Sequence, residues 1–126
     1  MENSHFFKKA VKIPMYDGYF IIIFSDDLDK VCKFTSADPE EVGYLFGNFI
    51  TGFRYRKLQA FAVVFNFWRS KTEITLGVFM HEINHAANKV LLNRGVDPDF
   101  ENDEAECYLK TWMGDQVEIF KKQCKL

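Results

Sequence analysis

The stretch Phe79-Met80-His81-Glu82-Ile83-Asn84-His85-Ala86-Ala87-Asn88-Lys89-Val90-Leu91 decides how the rest of the chain must be arranged. At 100° per residue, Phe79, Ile83, Ala86, Ala87, Val90 and Leu91 gather on one side of a helix. His81, Glu82, His85, Asn88 and Lys89 gather on the other. A helix with one apolar stripe has to bury that stripe against a second layer, so a sheet or further helices are required. The polar side carries the chemistry. Residues four apart lie one turn apart on the same face, so His81 and His85 can both turn a ring nitrogen toward a single Zn²⁺. Glu82 sits beside them, placed to take a proton from water on that metal. Merely packed histidines would be mixed into the apolar stripe; these stand opposite it.

Working outward, Ser70-Lys71-Thr72-Glu73 has the form of a capping box that starts this helix, and Gly95 ends it. Upstream, Phe6 to Met15 alternates loosely before Asp17-Gly18, a hairpin signal. The continuous run Tyr19-Phe20-Ile21-Ile22-Ile23-Phe24 follows. Together they predict two antiparallel strands, the second of them central. Ser25-Asp26-Asp27 can cap a short helix to about Phe34, and Thr35 to Glu40 reads as loop. Tyr44 to Gly52 and Leu58 to Trp68 predict a second hairpin. Its tip, Arg54-Tyr55-Arg56-Lys57, reads as a solvated turn ahead of a site for a phosphate or an acidic peptide. The expected fold is α+β: a small, mostly antiparallel sheet packed against the His81–His85 helix and a C-terminal helix.

A chain of 126 residues, 48% hydrophobic and 27% charged, is too short for two full cores, so one domain spanning 1–126 is expected. A net charge of −2 gives no electrostatic case for nucleic acid or an anionic membrane. The longest apolar run, Tyr19 to Phe24, is too short to span a bilayer, and Met1-Glu2-Asn3-Ser4-His5 has none of the features of a secretory leader. Cys32, Cys107 and Cys124 are odd in number and lack paired spacing, which fits a reducing, cytoplasmic compartment. Fourteen phenylalanines imply a ring-filled core or an apolar surface for a partner.

Two histidines alone hold Zn²⁺ poorly, and His5 is the one other histidine, so a carboxylate or thiol must complete the site. A second amphipathic helix runs from Glu101 to about Lys122, with Ala105, Leu109, Trp112 and Phe120 as its apolar stripe. Its first turns offer Glu104, Glu106 and Cys107, among which periodicity does not choose. The whole pattern, His81-Glu82-x-x-His85 followed by eighteen residues and Glu104, resembles the gluzincin branch of the zincin metallopeptidases. The segment Asp103 to Leu109, closing a chain of this size, also resembles small zincin-like proteins of bacteriophages.

The resemblance implies His81, His85 and Glu104 as Zn²⁺ ligands, Glu82 as general base, and hydrolysis of a peptide or protein substrate. It implies that the substrate lies extended along the sheet beside the metal helix, one of the strands around Leu58 to Phe67 forming its floor. If the chain is of phage origin, it implies the host cytoplasm. Where gluzincins often carry an aspartate four residues past the ligand glutamate, this chain has Tyr108, either a packing residue or a hydroxyl partner to the site. Two rivals stand beside the peptidase. One is a structural zinc site closed by Cys107. The other is an accessory protein with a degenerate site that binds a host or phage protein through its aromatic surface. The HExxH of peptide deformylases is a remoter match, because Cys32 lacks that family's surrounding pattern.

Overall fold

The computed structural model describes residues 5–42, 47–66, 75–95 and 104–125, with the backbone alone at residue 41. Strands β1 (Phe6–Lys12) and β2 (Tyr19–Ser25) form the expected antiparallel hairpin. Helix α1 (Leu28–Thr35) starts on Asp27, whose carboxylate accepts the Lys30 backbone N–H at 3.1 Å. A single turn, α2 (Pro39–Val42), begins in the last two residues of the segment expected as loop and runs two residues beyond it. Strands β3 (Gly47–Ile50), β4 (Arg54–Tyr55) and β5 (Leu58–Asn66) follow, then α3 (Leu76–Asn93) and α4 (Glu104–Gln123). The turn between β4 and β5 puts Arg56 and Lys57 at positive φ, and Arg54 donates back to the Lys57 carbonyl at 2.9 Å. It is a solvated tip. Among the described residues no helix is long and apolar enough to cross a membrane.

The sheet order is β1-β2-β5-β3, with β4 also pairing β5. β2 and β5 are parallel while every other pairing is antiparallel, so the fold is α+β around a mixed sheet. Parallel neighbours need a crossover, and the path through α1, α2 and β3 supplies it. This pairing explains why Tyr19 to Phe24 and Leu58 to Asn66 read as continuous apolar runs: both strands are covered on both faces. Phe20, Ile22, Phe24, Phe61, Val63 and Phe65 point into the layer that contains α3 and α4. Ile21, Ile23, Ala60, Ala62 and Val64 point the other way, beneath Val31 of α1 and Val42 of α2. The larger side chains face the thicker layer. Within it, Phe65 meets Phe79 edge-on with ring centroids 4.7 Å apart, a geometry worth about 0.5–1.5 kcal/mol beyond the area buried.

Of the strands around Leu58 to Phe67 expected to floor an extended substrate, β5 itself offers no sheet edge in its described part. β5 is hydrogen-bonded to β2 on one side and to β3 and β4 on the other, so its backbone groups are already taken. The edge beside α3 is β3.

Candidate functional site

Helix α3 enters from Thr75, an extended N-cap residue without a side-chain cap bond; the capping box expected at Ser70 to Glu73 lies outside the described residues. It ends as expected, Gly95 taking a left-handed φ of 73° while its N–H reaches the Leu92 carbonyl. Phe79, Ile83, Ala86, Ala87, Val90 and Leu91 are all buried, and His81 and His85 are exposed on the far side.

The two Nε2 atoms lie 3.2 Å apart, with ring centroids 4.7 Å apart and planes 84° to one another. Two imidazoles on one tetrahedral Zn²⁺, each about 2.05 Å from it, hold their nitrogens about 3.3 Å apart. The pair therefore already has the spacing of two ligands to a single ion. The His85 ring lies nearly parallel to Phe49 of β3, 19° between planes and 6.4 Å between centroids, which limits its rotation.

Glu82 departs from the helical projection. It was expected on the open polar face, but its side chain is only 7% exposed. One residue past His81 is a 100° turn toward the sheet, and there β3 presents Gly47. A Cβ on Gly47 would stand 2.9 Å from Glu82 Cγ and 3.1 Å from Glu82 Oε2, so the carboxylate occupies the slot that the missing side chain leaves. Burial pushes the Glu82 carboxyl above the ordinary carboxylate range, and the nearby His81 and His85 pull it partly back. Nothing on α3 announces this slot. A glycine inside a strand does signal a close approach, and Gly47 is such a position.

Glu104 is not brought to the pair. α3 follows β3, with Gly47 against Val78 and Glu82 and Phe49 against His85. α4 instead follows β2, with Trp112 beside Phe20 and Phe120 beside Phe24. β2 and β3 run oppositely because each pairs with β5 in a different sense, so the two helices are antiparallel. Near the start of α3, Lys121 of α4 lies over the Phe79 ring at 5.3 Å. Glu104 is about 25 Å back along α4 from Lys121, whereas His81 and His85 are only about 3 and 9 Å along α3 from Phe79. The His pair also faces β3, on the side of α3 away from α4.

Glu104 instead lines an apolar pocket of about 370 Å³ with Pro14, Met15, Tyr16, Tyr108 and Trp112. Glu106 pairs with Lys110, Cys107 is exposed, and Tyr108 is 75% exposed at the rim of that pocket, neither packed in the core nor beside the histidines. Among the described residues, no group of three or more His, Cys, Asp or Glu side chains is arranged to hold a metal ion. The site thus consists of two histidines with the spacing of metal ligands and one buried carboxylate between them and the sheet edge. Comparison with protein-family models, curated proteins and solved structures finds no match to this chain.

Proposed function

We propose that the chain is a zinc-dependent hydrolase of peptide or amide bonds, working in the cytoplasm, with His81 and His85 as two of the metal ligands; no third protein ligand stands beside them among the described residues. The observation that carries the proposal is the 3.2 Å separation of the two Nε2 atoms, with the Glu82 carboxyl near enough for its charge to be felt by both rings. When bound, Zn²⁺ supplies Lewis-acid polarisation of a carbonyl and acidifies water. Glu82 takes a proton from the attacking water and passes it to the departing amine. A carboxylate partly stripped of solvent is a stronger base than a solvated one, which suits that task. His81 and His85 would hold the ion through the ring nitrogens that already face one another, and Phe49 keeps the His85 ring aligned. Among the described residues β3 is the sheet edge beside the pair, and an extended peptide can add to it as a further strand. Glu104 is left out of the ligand set because the packing of α4 carries it to the opposite end of α3.

The test is metal analysis followed by a peptide library. His81→Ala should abolish stoichiometric zinc, and Glu82→Gln should abolish cleavage while zinc is retained. Zinc that survives His81→Ala would sink the ligand assignment. A structural zinc site closed by Cys107 loses support, since that thiol shares the placement of Glu104 on α4. The reading as an interaction protein draws on a specific feature. Met15 and Tyr108, 92% and 75% exposed, rim the apolar pocket together with Tyr16 and Trp112. Cleavage that depends on Glu82 favours the hydrolase over that rival.

A further inference from the structure

β3 and α3 lie side by side and run in the same direction. Two strand residues advance about 6.7 Å and one helical turn of four residues about 6 Å, so the two stay in step. Gly47 meets Val78 and Glu82, and Phe49 meets His85. One step further, Thr51 and Lys89 line the same open pocket of about 480 Å³, with Gln59, Asn93, Arg94 and Asp17 around it. The same strand–helix alignment therefore continues from the Glu82 slot past the histidines to a polar pocket whose Lys89 lies about 6 Å along α3 from His85.

The wall of that pocket has a defined polarity. Asn93 Nδ2 donates to Gln59 Oε1 at 3.0 Å, Gln59 Nε2 donates to Thr51 Oγ1 at 3.3 Å, and Thr51 donates to the Ala60 carbonyl at 2.8 Å. Among the described residues each of the two amides has a second N–H with no acceptor. Arg94 is committed to Asp17, whose carboxylate and backbone carbonyl lie 3.3 and 3.2 Å from its Nη2. Lys89 is exposed and makes no ion pair among the described residues. With Arg94 and Asp17 cancelling, the pocket holds one net positive charge and spare amide donors, which suits a monoanion better than a phosphate dianion.

We infer that this pocket is a carboxylate subsite in which Lys89 receives an acidic group of the substrate about two residues from the bond at the His81–His85 pair. The inference rests on the hydrolase reading and adds the substrate class, peptides with a negative charge close to the point of cleavage. A chain terminus and an Asp or Glu side chain present the same chemistry.

The test uses the zinc-loaded full chain and three N-terminally dye-labelled pentapeptide mixtures. The first has a free terminal carboxylate and no acidic side chain, the second an amidated end with one Asp or Glu, the third an amidated end and no acid. Anisotropy measures binding, and zinc content is measured on the same samples. At least one carboxylate-bearing mixture should bind about tenfold or more tightly than the neutral one, as a charge-assisted hydrogen bond allows. Which mixture does so identifies the source of the carboxylate. Lys89→Gln should reduce it to the neutral level with zinc content unchanged. Equal binding of all three mixtures, or a preference that survives Lys89→Gln, overturns the subsite and leaves the metal pair standing. Absence of zinc overturns the metal pair instead, and the comparison of mixtures with and without Lys89 still decides the pocket.

Discussion

Replacing Gly47 by alanine places a methyl carbon 2.9 Å from both Glu82 Cγ and Val78 Cγ1. Ordinary carbon contacts are about 3.5–4.0 Å, so at least 0.6 Å must be found on two sides at once. Val78 is β-branched and stiff at χ1, and the Glu82 atom approached is the middle of its side chain, so neither can give way cheaply. Overpacking of this kind costs about 1–3 kcal/mol. Gly47 has no left-handed φ, so alanine also stiffens the unfolded chain and returns roughly 0.4–1 kcal/mol. The net expectation is a loss of about 1–2 kcal/mol, a fall in Tm of roughly 3–8 °C for a domain of this size. The assay is denaturant unfolding of wild type, Gly47→Ala, Glu82→Ala and the double variant. Glu82→Ala removes Cγ and the carboxylate, so part of the Gly47→Ala cost should vanish in that background, leaving a coupling of about 1 kcal/mol. Gly47→Ala that is as stable as wild type or more so, with no coupling to Glu82, would refute the slot.

Other outcomes follow from the same geometry. In metal-free protein, burial raises the Glu82 pKa on folding, so its contribution to stability is full below the ordinary carboxylate value and is lost as pH rises through the raised one. The Tm of Glu82→Gln relative to wild type should therefore climb from acid to neutral pH, and a gap independent of pH would contradict the burial. Zinc at about one hundred times its Kd should stabilise wild type by about 2.7 kcal/mol in thermal melts. His81→Ala and His85→Ala should lose that gain. Glu104→Ala should keep it, and loss there would restore Glu104 as a ligand. Asp27→Ala should cost about 1 kcal/mol by removing the cap on α1, measured by denaturant midpoint, while Asp27→Asn should cost far less.

Local physics made much of this protein legible in one dimension. The β1–β2 hairpin, the Asp27 cap, the β5 run and the buried stripe of α3 each follow from side-chain periodicity, turn residues or caps. Such signals act within a few residues of one another and survive any packing. The His81–His85 pair belongs to the same class, because four residues on a helix fix the approach of two rings.

Whatever depends on a second element lay beyond that reach. Periodicity shows that β2 and β5 are apolar on both faces but not that they are parallel neighbours, which leaves β3 rather than β5 as the edge beside α3. Helical projection treats the core as lying in one direction, yet β3 wraps the side of α3, and the bare Cα of Gly47 admits Glu82 there. The distance from Glu104 to the histidines is set by how far α4 slides along α3, and Phe120, Trp112 and Lys121 set that slide against Phe24, Phe20 and Phe79. The sequence by itself determined which residues could carry chemistry on α3. Only tertiary packing decided which of them stand together, because relative helix position is an energy minimum over many contacts from distant parts of the chain and has no periodic signature in any one of them.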